Sequence, residues 1–214
     1  AALHAVLLAQ ASRCVYEKAV ERSCGPPTLE MLASDAATLY ANAHAAVVAA
    51  SAADASALAA ELPTAEWIHV CGCLARLYDG KAQLHAATTN GAARDFGLQV
   101  GRLAHALDQI NAAIAAAPPR LVPFLEAHRV SAASAHDVAA RDNASIYYEA
   151  VVAPGALPPP KRPERRMVKA VAPPELLAAG EQPTDGAWPS PLRALFASPA
   201  AGRRGAKRSN SQSL

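Results

Sequence analysis

The sequence predicts an all-α protein: a solenoid of helical hairpins followed by an extended proline-rich arm. The chain of 214 residues is 52% hydrophobic but only 5% aromatic, and alanine, the best helix former, supplies much of the apolar fraction. Apolar residues recur at helical spacing in several long segments. Proline- and glycine-containing stretches separate these segments, so short turns are expected to join antiparallel helices.

Two helices are predicted before residue 51. In the first, which extends to about residue 22, Leu3, Leu7 and Cys14 follow helical spacing. A Gly-Pro-Pro run ends it, because proline lacks a backbone donor and restricts the preceding residue. The second begins with Thr28 as its N-cap. Small residues at 51–63 form a connector.

Three further helices complete the predicted helical part. The third begins near Thr64 and ends near Ala87, where residues 88–91 predict a turn. The fifth follows a pair of prolines and covers 120–141. The fourth has apolar residues spaced alternately by four and three, which is typical of a coiled-coil seam: Phe96, Val100, Leu103, Leu107, Ile110 and Ile114.

The composition changes after residue 143. Residues 146–152 are β-branched or aromatic and predict an extended segment, and closely spaced prolines follow. We therefore divide the chain into a helical solenoid (1–150), a proline-rich arm that packs on the domain (151–199) and a disordered basic tail (200–214). An apolar cluster that includes Trp188 and Phe196 favours docking of the arm.

Charge and hydropathy restrict the function classes. A net charge of +2 does not predict nucleic-acid binding. The basic tail either contacts an acidic membrane surface or solubilises the chain end. No uninterrupted apolar run approaches the roughly 20 residues that span a bilayer, and no signal peptide is expected.

No residue pattern predicts an enzyme. The sequence lacks a phosphate-binding glycine loop and the hydrolase motifs, and its seven histidines are scattered. We interpret the four cysteines as reduced, buried small hydrophobes. The prediction is a protein without catalytic residues, metal, cofactor or small-molecule substrate. The competing hypothesis is an enzyme that uses His69 with Cys71 or Cys73.

Five segments in order resemble the BRO-domain family, the Alix-like proteins associated with endosomal sorting. Two of them resemble conserved helices of that domain, and a third resembles the junction that follows its last helix. The others resemble its proline-rich segment and an element near its end. The segments are residues 7–19, 95–103, 141–149, 158–169 and 192–196, and the resemblance covers about residues 3–199.

The resemblance implies a tetratricopeptide-like helical solenoid, of which this chain is the C-terminal half. It also implies a function, because the family binds the C-terminal amphipathic helix of an ESCRT-III subunit in an apolar patch on the concave face. The positions of that patch fall on Val15, Thr28 and Leu32, and Leu29 adds apolar surface next to Thr28. Val15 replaces a large aromatic residue, and Thr28 replaces an isoleucine.

The resemblance therefore predicts an endosomal sorting adaptor that acts in multivesicular body formation and membrane remodelling. Such a protein is cytoplasmic and is recruited to endosomes, with peripheral membrane contact. Two alternatives stay open. Val15 and Leu32 fit ordinary core positions equally well, and the changed patch fits a scaffold that has lost ESCRT-III binding and serves another protein partner.

Overall fold

Five α-helices dominate the described part of the computed structural model, which covers residues 2–53, 64–164 and Val168. These residues belong to one compact unit, residues 1–170. The helices are α1 (Ala2–Glu21), α2 (Pro26–Ala53), α3 (Thr64–Ala92), α4 (Phe96–Ala115) and α5 (Val122–Asp142). Each packs on the next along the chain, and the described residues contain no strand. The predicted all-α fold is confirmed.

Alanine explains how closely the helices pack. Ala9, Ala36, Ala43, Ala82 and Ala106 are completely buried between helices, where a small side chain lets two backbones approach. Larger residues fill the remaining space, and the buried side of α3 includes Trp67, Cys71, Leu74 and Leu77.

Polar contacts inside the core link neighbouring helices. Ser12 on α1 donates to Asp35 on α2 at 3.0 Å, and buried Arg102 on α4 donates to Gln83 on α3 at 2.7 Å. Because a buried polar group without a partner is costly, such contacts favour one helix register over others.

Left-handed residues end two of the helices. Ser23 has φ 53°, and the amide of Cys24 reaches back to the carbonyl of Ala19 at 3.0 Å. Arg94 has φ 63°, and the Asp95 amide bonds to the Asn90 carbonyl at 3.0 Å. Both are Schellman motifs, which satisfy the last carbonyls of a helix.

Three predicted boundaries differ from the structure. Helix α2 begins at Pro26, because proline fits the first turn, where no backbone donor is needed, so Thr28 is not the N-cap. The predicted turn at 88–91 is helical, and α3 continues to Ala92. A π-helical turn at Asn143–Tyr147 includes the first two residues of the predicted extended segment 146–152, and it ends at Tyr148, which has φ 55°.

The large residues that predicted the first helix lie on its exposed side. Leu3, Leu7 and Cys14 are exposed on α1, whose buried side consists of Val6, Ala9, Ser12, Tyr16 and Ala19. The spacing of large apolar residues therefore did not indicate which side of α1 faces the core. That side consists mostly of small residues and Tyr16.

Part of the predicted arm lies against the helices. The amide of Val152 donates to the Gly97 carbonyl at 3.3 Å, and the amide of Lys161 donates to the buried carboxylate of Glu30 at 2.7 Å. The arm beyond 164 (except Val168), the cluster around Trp188, the connector at 54–63 and the tail at 200–214 lie outside the described residues. For those segments the predictions stay predictions.

Candidate functional site

The predicted patch residues lie where α1 ends and α2 begins. Residues 22–25 form a tight turn, so the two helices leave it side by side. Thr28 and Leu29 lie in the first turn of α2, and Leu32 is one turn further on the same side as Thr28. Val15 lies in the last two turns of α1.

The patch residues differ in accessibility. Val15 is 36% exposed, Thr28 is exposed and Leu29 is half-buried against the core. Leu32 is only 5% exposed and belongs to the core cluster. Val15, Thr28 and Leu29 can therefore contact a partner directly, whereas Leu32 is covered by the core. We call these three residues the α1–α2 surface.

The cysteines divide into two classes. Cys71 and Cys73 are buried on α3, as expected, and burial raises the pKa of Cys71 to about 11 and also raises the pKa of Cys73. Cys14 is exposed and Cys24 is half-buried, so the prediction that all four are buried is wrong for these two.

The structure does not favour the competing enzyme hypothesis. A raised pKa suppresses the thiolate that a nucleophilic cysteine needs, and His69 is exposed whereas Cys71 is buried. Among the described residues, no group of three or more His, Cys, Asp or Glu side chains could hold a metal ion.

A second cluster of polar and aromatic side chains connects α1, α2 and α3. The Tyr16 ring contacts Tyr78 edge-on with centroids 5.4 Å apart, and Tyr78 stacks on Tyr40 of α2 at 5.8 Å. The Tyr16 hydroxyl lies 2.9 Å from Nε2 of His85. The Lys81 ammonium lies 5.1 Å from the centroids of both Tyr16 and Tyr78. Sequence reasoning missed this cluster, although Tyr16 and Tyr40 are the largest buried residues on α1 and α2.

Burial controls protonation in this cluster. It lowers the pKa of Lys81 to about 8, with Glu17 opposing and Arg13 reinforcing the shift. Burial, together with the Lys81 charge, lowers the pKa of both His85 and His128 to about 4. Both imidazoles are therefore neutral at pH 7, and neutral His85 can accept the hydrogen bond of the Tyr16 hydroxyl.

Acid should destabilise the protein through His85. Its pKa is about 4 in the folded protein against 6.5 ordinarily, so below pH 6.5 the unfolded chain binds a proton that the folded chain does not. Stability is therefore complete above pH 6.5 and falls as the pH decreases through 4. Allowing for partial exposure, we expect a loss of about 1 to 2 kcal/mol at pH 5.

Urea unfolding of the wild type and of His85→Gln at pH 7 and pH 5 measures this loss of stability. The variant should lose less free energy of unfolding between the two pH values, whereas His4→Gln, at an exposed histidine of α1, should behave as the wild type does. Equal losses in all three proteins would contradict the assignment to His85.

The arm approaches α4 at two glycines. A Cβ atom on Gly97 would overlap the Ala150 carbonyl, and one on Gly101 would overlap the carbonyl of Val152. The Gly97 amide donates to the Glu149 carboxylate at 2.7 Å, which satisfies one of the free donors at the start of α4. Backbone-to-backbone packing of this kind requires glycine at both positions.

The sequence model of the BRO1-like domain matches residues 1–197. The chain belongs to the BRO1-like domain family. The predicted membership of this family is thus confirmed, and the matched residues are nearly those of the predicted resemblance, about 3–199. Among curated proteins, no sequence matches significantly.

Two solved structures have a similar fold to this BRO1-like chain. One is the ALIX BRO1 CHMP4C complex, with a TM-score of 0.67 and 20% identity over 81% of this chain and 45% of that chain. The other is ALIX in complex with the SIVmac239 PYKEVTEDL late domain, with a TM-score of 0.66 and 21% identity over 79% of this chain and 22% of that chain. The chain thus spans less than half of the ALIX chains that it matches.

The two structural matches show the fold alone. At about a fifth identity the matches show a shared arrangement of helices and leave the role of each surface residue of the BRO1-like chain untested. Among the described helices, none has both the length and the apolar character of a membrane-spanning segment. The partner role of the α1–α2 surface stays a prediction.

Proposed function

We propose that this BRO1-like chain is part of an ESCRT-associated adaptor that binds the C-terminal amphipathic helix of an ESCRT-III subunit. The observation that carries the proposal is the family match, which covers residues 1–197. The similar fold of an ALIX BRO1 domain that forms a complex with CHMP4C supports it. The adaptor acts from the cytoplasm at endosomes, in multivesicular body formation and membrane remodelling.

The α1–α2 surface would provide the contact. A partner helix presents apolar anchors at i, i+3 and i+4 spacing, and these need a groove between two helices. Val15 is exposed on one helix and Thr28 on its neighbour, with Leu29 half-buried beside them. Leu32, one turn after Thr28, is packed in the core.

We further propose that the chain acts by binding and not by catalysis. The only residues that suggested chemistry, His69, Cys71 and Cys73, do not form an accessible reactive set, because both thiols are buried with raised pKa values. A slow, uniform reaction of these two thiols with an alkylating reagent is expected, and rapid labelling of Cys71 or Cys73 would contradict this part of the proposal.

A second function has a specific observation in its favour. The resemblance to the family puts a large aromatic residue at the position of Val15 and an isoleucine at that of Thr28, which implies a less apolar surface here. These changes suit a scaffold that has lost ESCRT-III binding and serves another protein. Affinity purification of the full protein dominated by partners outside ESCRT-III would favour it.

Val15→Asp should abolish binding of an ESCRT-III C-terminal helix peptide. Burying an unpaired carboxylate in an apolar contact costs at least a few kcal/mol, which is a loss of about a hundredfold or more in affinity. The measurement is fluorescence anisotropy of the labelled peptide with the full protein. Because Val15 is exposed, the substitution should leave the fold intact.

Val138→Asp is the matched control. Val138 is an exposed valine on α5, so it receives the same chemical change away from the α1–α2 surface. Its affinity should equal that of the wild type. Leu32→Asp is unsuitable, because it places a charge in the core and tests folding. Equal loss of binding in the Val15 and Val138 variants would show that the α1–α2 surface is not the contact.

A further inference from the structure

A cavity of about 310 Å³ lies where the proline-rich arm meets the helices. Residues of α2 and α3 line it, together with Gln109 of α4 and with Pro160 and Arg162 of the arm. The arm is fixed at this point, because the Lys161 amide donates to the buried carboxylate of Glu30 at 2.7 Å. The cavity is therefore a junction of three helices and the arm, and its walls come from distant parts of the chain.

Two guanidinium groups line this cavity. Arg76 belongs to α3 and Arg162 to the arm, and both side chains are exposed. Within the described ranges, neither arginine belongs to an ion pair. Guanidinium groups match the geometry of phosphate oxygens and form paired, charge-assisted hydrogen bonds with them. Two such groups at one cavity favour a ligand that carries phosphate.

The other polar groups of the lining suit hydroxyls. Asp79 is one turn from Arg76 on α3, Asn42 comes from α2, and Gln109 faces them from α4. A carboxylate repels phosphate but accepts hydrogen bonds from hydroxyl groups, and a side-chain amide both donates and accepts. Neither amide has a hydrogen-bond partner among the described residues. The lining therefore indicates a ligand that presents hydroxyls as well as phosphate.

Small apolar residues complete the walls. They are Ala37 and Ala41, one turn apart on α2, Ala75 on α3 and Pro160 on the arm. Short side chains of this kind leave room for the carbon face of a ring to approach the helices. The cavity volume lies at the lower end for small-molecule sites, so one substituted ring fits better than a peptide segment.

We propose that this cavity, the Arg76–Arg162 site, binds a phosphorylated polyol with the chemistry of an inositol phosphate, either as a free molecule or as a lipid headgroup. Arg76 and Arg162 hold phosphate from two sides, and Asp79, Asn42 and Gln109 bind ring hydroxyls. Because Arg162 belongs to the arm, the ligand also ties the arm to α3.

Titration calorimetry of the full protein with inositol trisphosphate tests the proposal. We expect saturable binding, and at least about tenfold weaker binding of unphosphorylated inositol and of inorganic phosphate, since each lacks half of the recognised groups. Arg76→Gln and Arg162→Gln should each weaken binding of the trisphosphate at least about tenfold, because each removes a charge-assisted contact.

Arg141→Gln is the matched control. Arg141 is an exposed arginine of α5 that belongs to no ion pair among the described residues and does not line the cavity. Its loss should leave the affinity for the trisphosphate unchanged. All three arginines are exposed, so each variant should keep wild-type helicity by circular dichroism.

Hydrogen exchange at the Lys161 amide locates the bound ligand. This amide is bonded to Glu30 beside the cavity, so tying Arg162 to Arg76 should slow its exchange. Binding of the trisphosphate to basic residues elsewhere in the chain would leave the exchange of this amide unchanged and would contradict the proposal.

The test is independent of ESCRT-III binding. No residue of α1 lines the cavity, and neither Thr28 nor Leu29 does. Val15→Asp should therefore bind the trisphosphate as the wild type does, and the failure of one site leaves the other unaffected.

Vesicles distinguish the two sources of the ligand. Binding to phosphatidylcholine vesicles that contain phosphatidylinositol phosphate, with competition by the soluble trisphosphate, supports the site with a lipid headgroup as its ligand. Binding of the trisphosphate alone supports it with a free ligand. Three results would overturn the proposal: no saturable binding of either probe, equal affinity for inorganic phosphate, or unchanged binding in both Arg76→Gln and Arg162→Gln.

Discussion

Replacing Gly101 with alanine should release the proline-rich arm from α4. Alanine favours the helix by up to about 1 kcal/mol over glycine, so a purely local effect would be stabilising. The added Cβ, however, would overlap the Val152 carbonyl and approach Leu157. Overpacking of this kind costs about 1 to 3 kcal/mol, and undocking of the arm relieves it more easily than distortion of the helix.

The rate of hydrogen exchange at the Val152 amide measures how far the arm has left α4. That amide is bonded to Gly97 in the docked arm, and its exchange should accelerate about tenfold or more in Gly101→Ala. The matched control is Gly155→Ala, where the added Cβ meets no atom within 4 Å and exchange should stay unchanged. Unchanged Val152 exchange in both variants would mean that the arm tolerates a side chain at residue 101.

Tyr78→Ala should have the largest effect on stability. The ring is completely buried and contacts aromatic residues on two other helices, Tyr16 on α1 and Tyr40 on α2. Removal of a buried aromatic ring leaves a cavity and costs about 3 to 5 kcal/mol. Chemical denaturation followed by circular dichroism should show a correspondingly lower midpoint.

Tyr78→Phe separates the ring from its hydroxyl. The hydroxyl is buried and has no hydrogen-bond partner among the described residues. Its removal should therefore change the free energy of unfolding little or increase it, because a buried polar group without a partner is costly. A loss in Tyr78→Phe as large as that in Tyr78→Ala would mean that the hydroxyl, and not ring packing, carries the stability.

The sequence predicted the existence and order of the helices well, and the ends less well. Periodicity located the buried seam of α4, where Val100, Leu103 and Ile110 are in the core. The predicted end of α3 was too early. The hydroxyls of Thr88 and Thr89 donate to backbone carbonyls one turn earlier, so both residues fit within a helix. The predicted start of α2 was too late, because two prolines fit the first turn of a helix as well as they fit a break between two helices.

The candidate sites were predictable to a different degree. Resemblance to a family indicated the positions of Val15, Thr28, Leu29 and Leu32, but exposure depends on which side of a helix meets its neighbours. That is why Leu32 is in the core while Val15 is accessible. The contact of Lys81 with Tyr16 and Tyr78 could not be predicted, because it joins residues of α1 and α3 that are far apart in sequence.

Hydrogen exchange of the full protein, with and without a saturating ESCRT-III C-terminal helix peptide, tests the central claim most directly. It reports binding and its location in one measurement. We predict slower exchange limited to the end of α1 and the first two turns of α2, around Val15 and Thr28–Leu32. No change anywhere, or protection confined to α5, would contradict an adaptor that binds ESCRT-III through the α1–α2 surface.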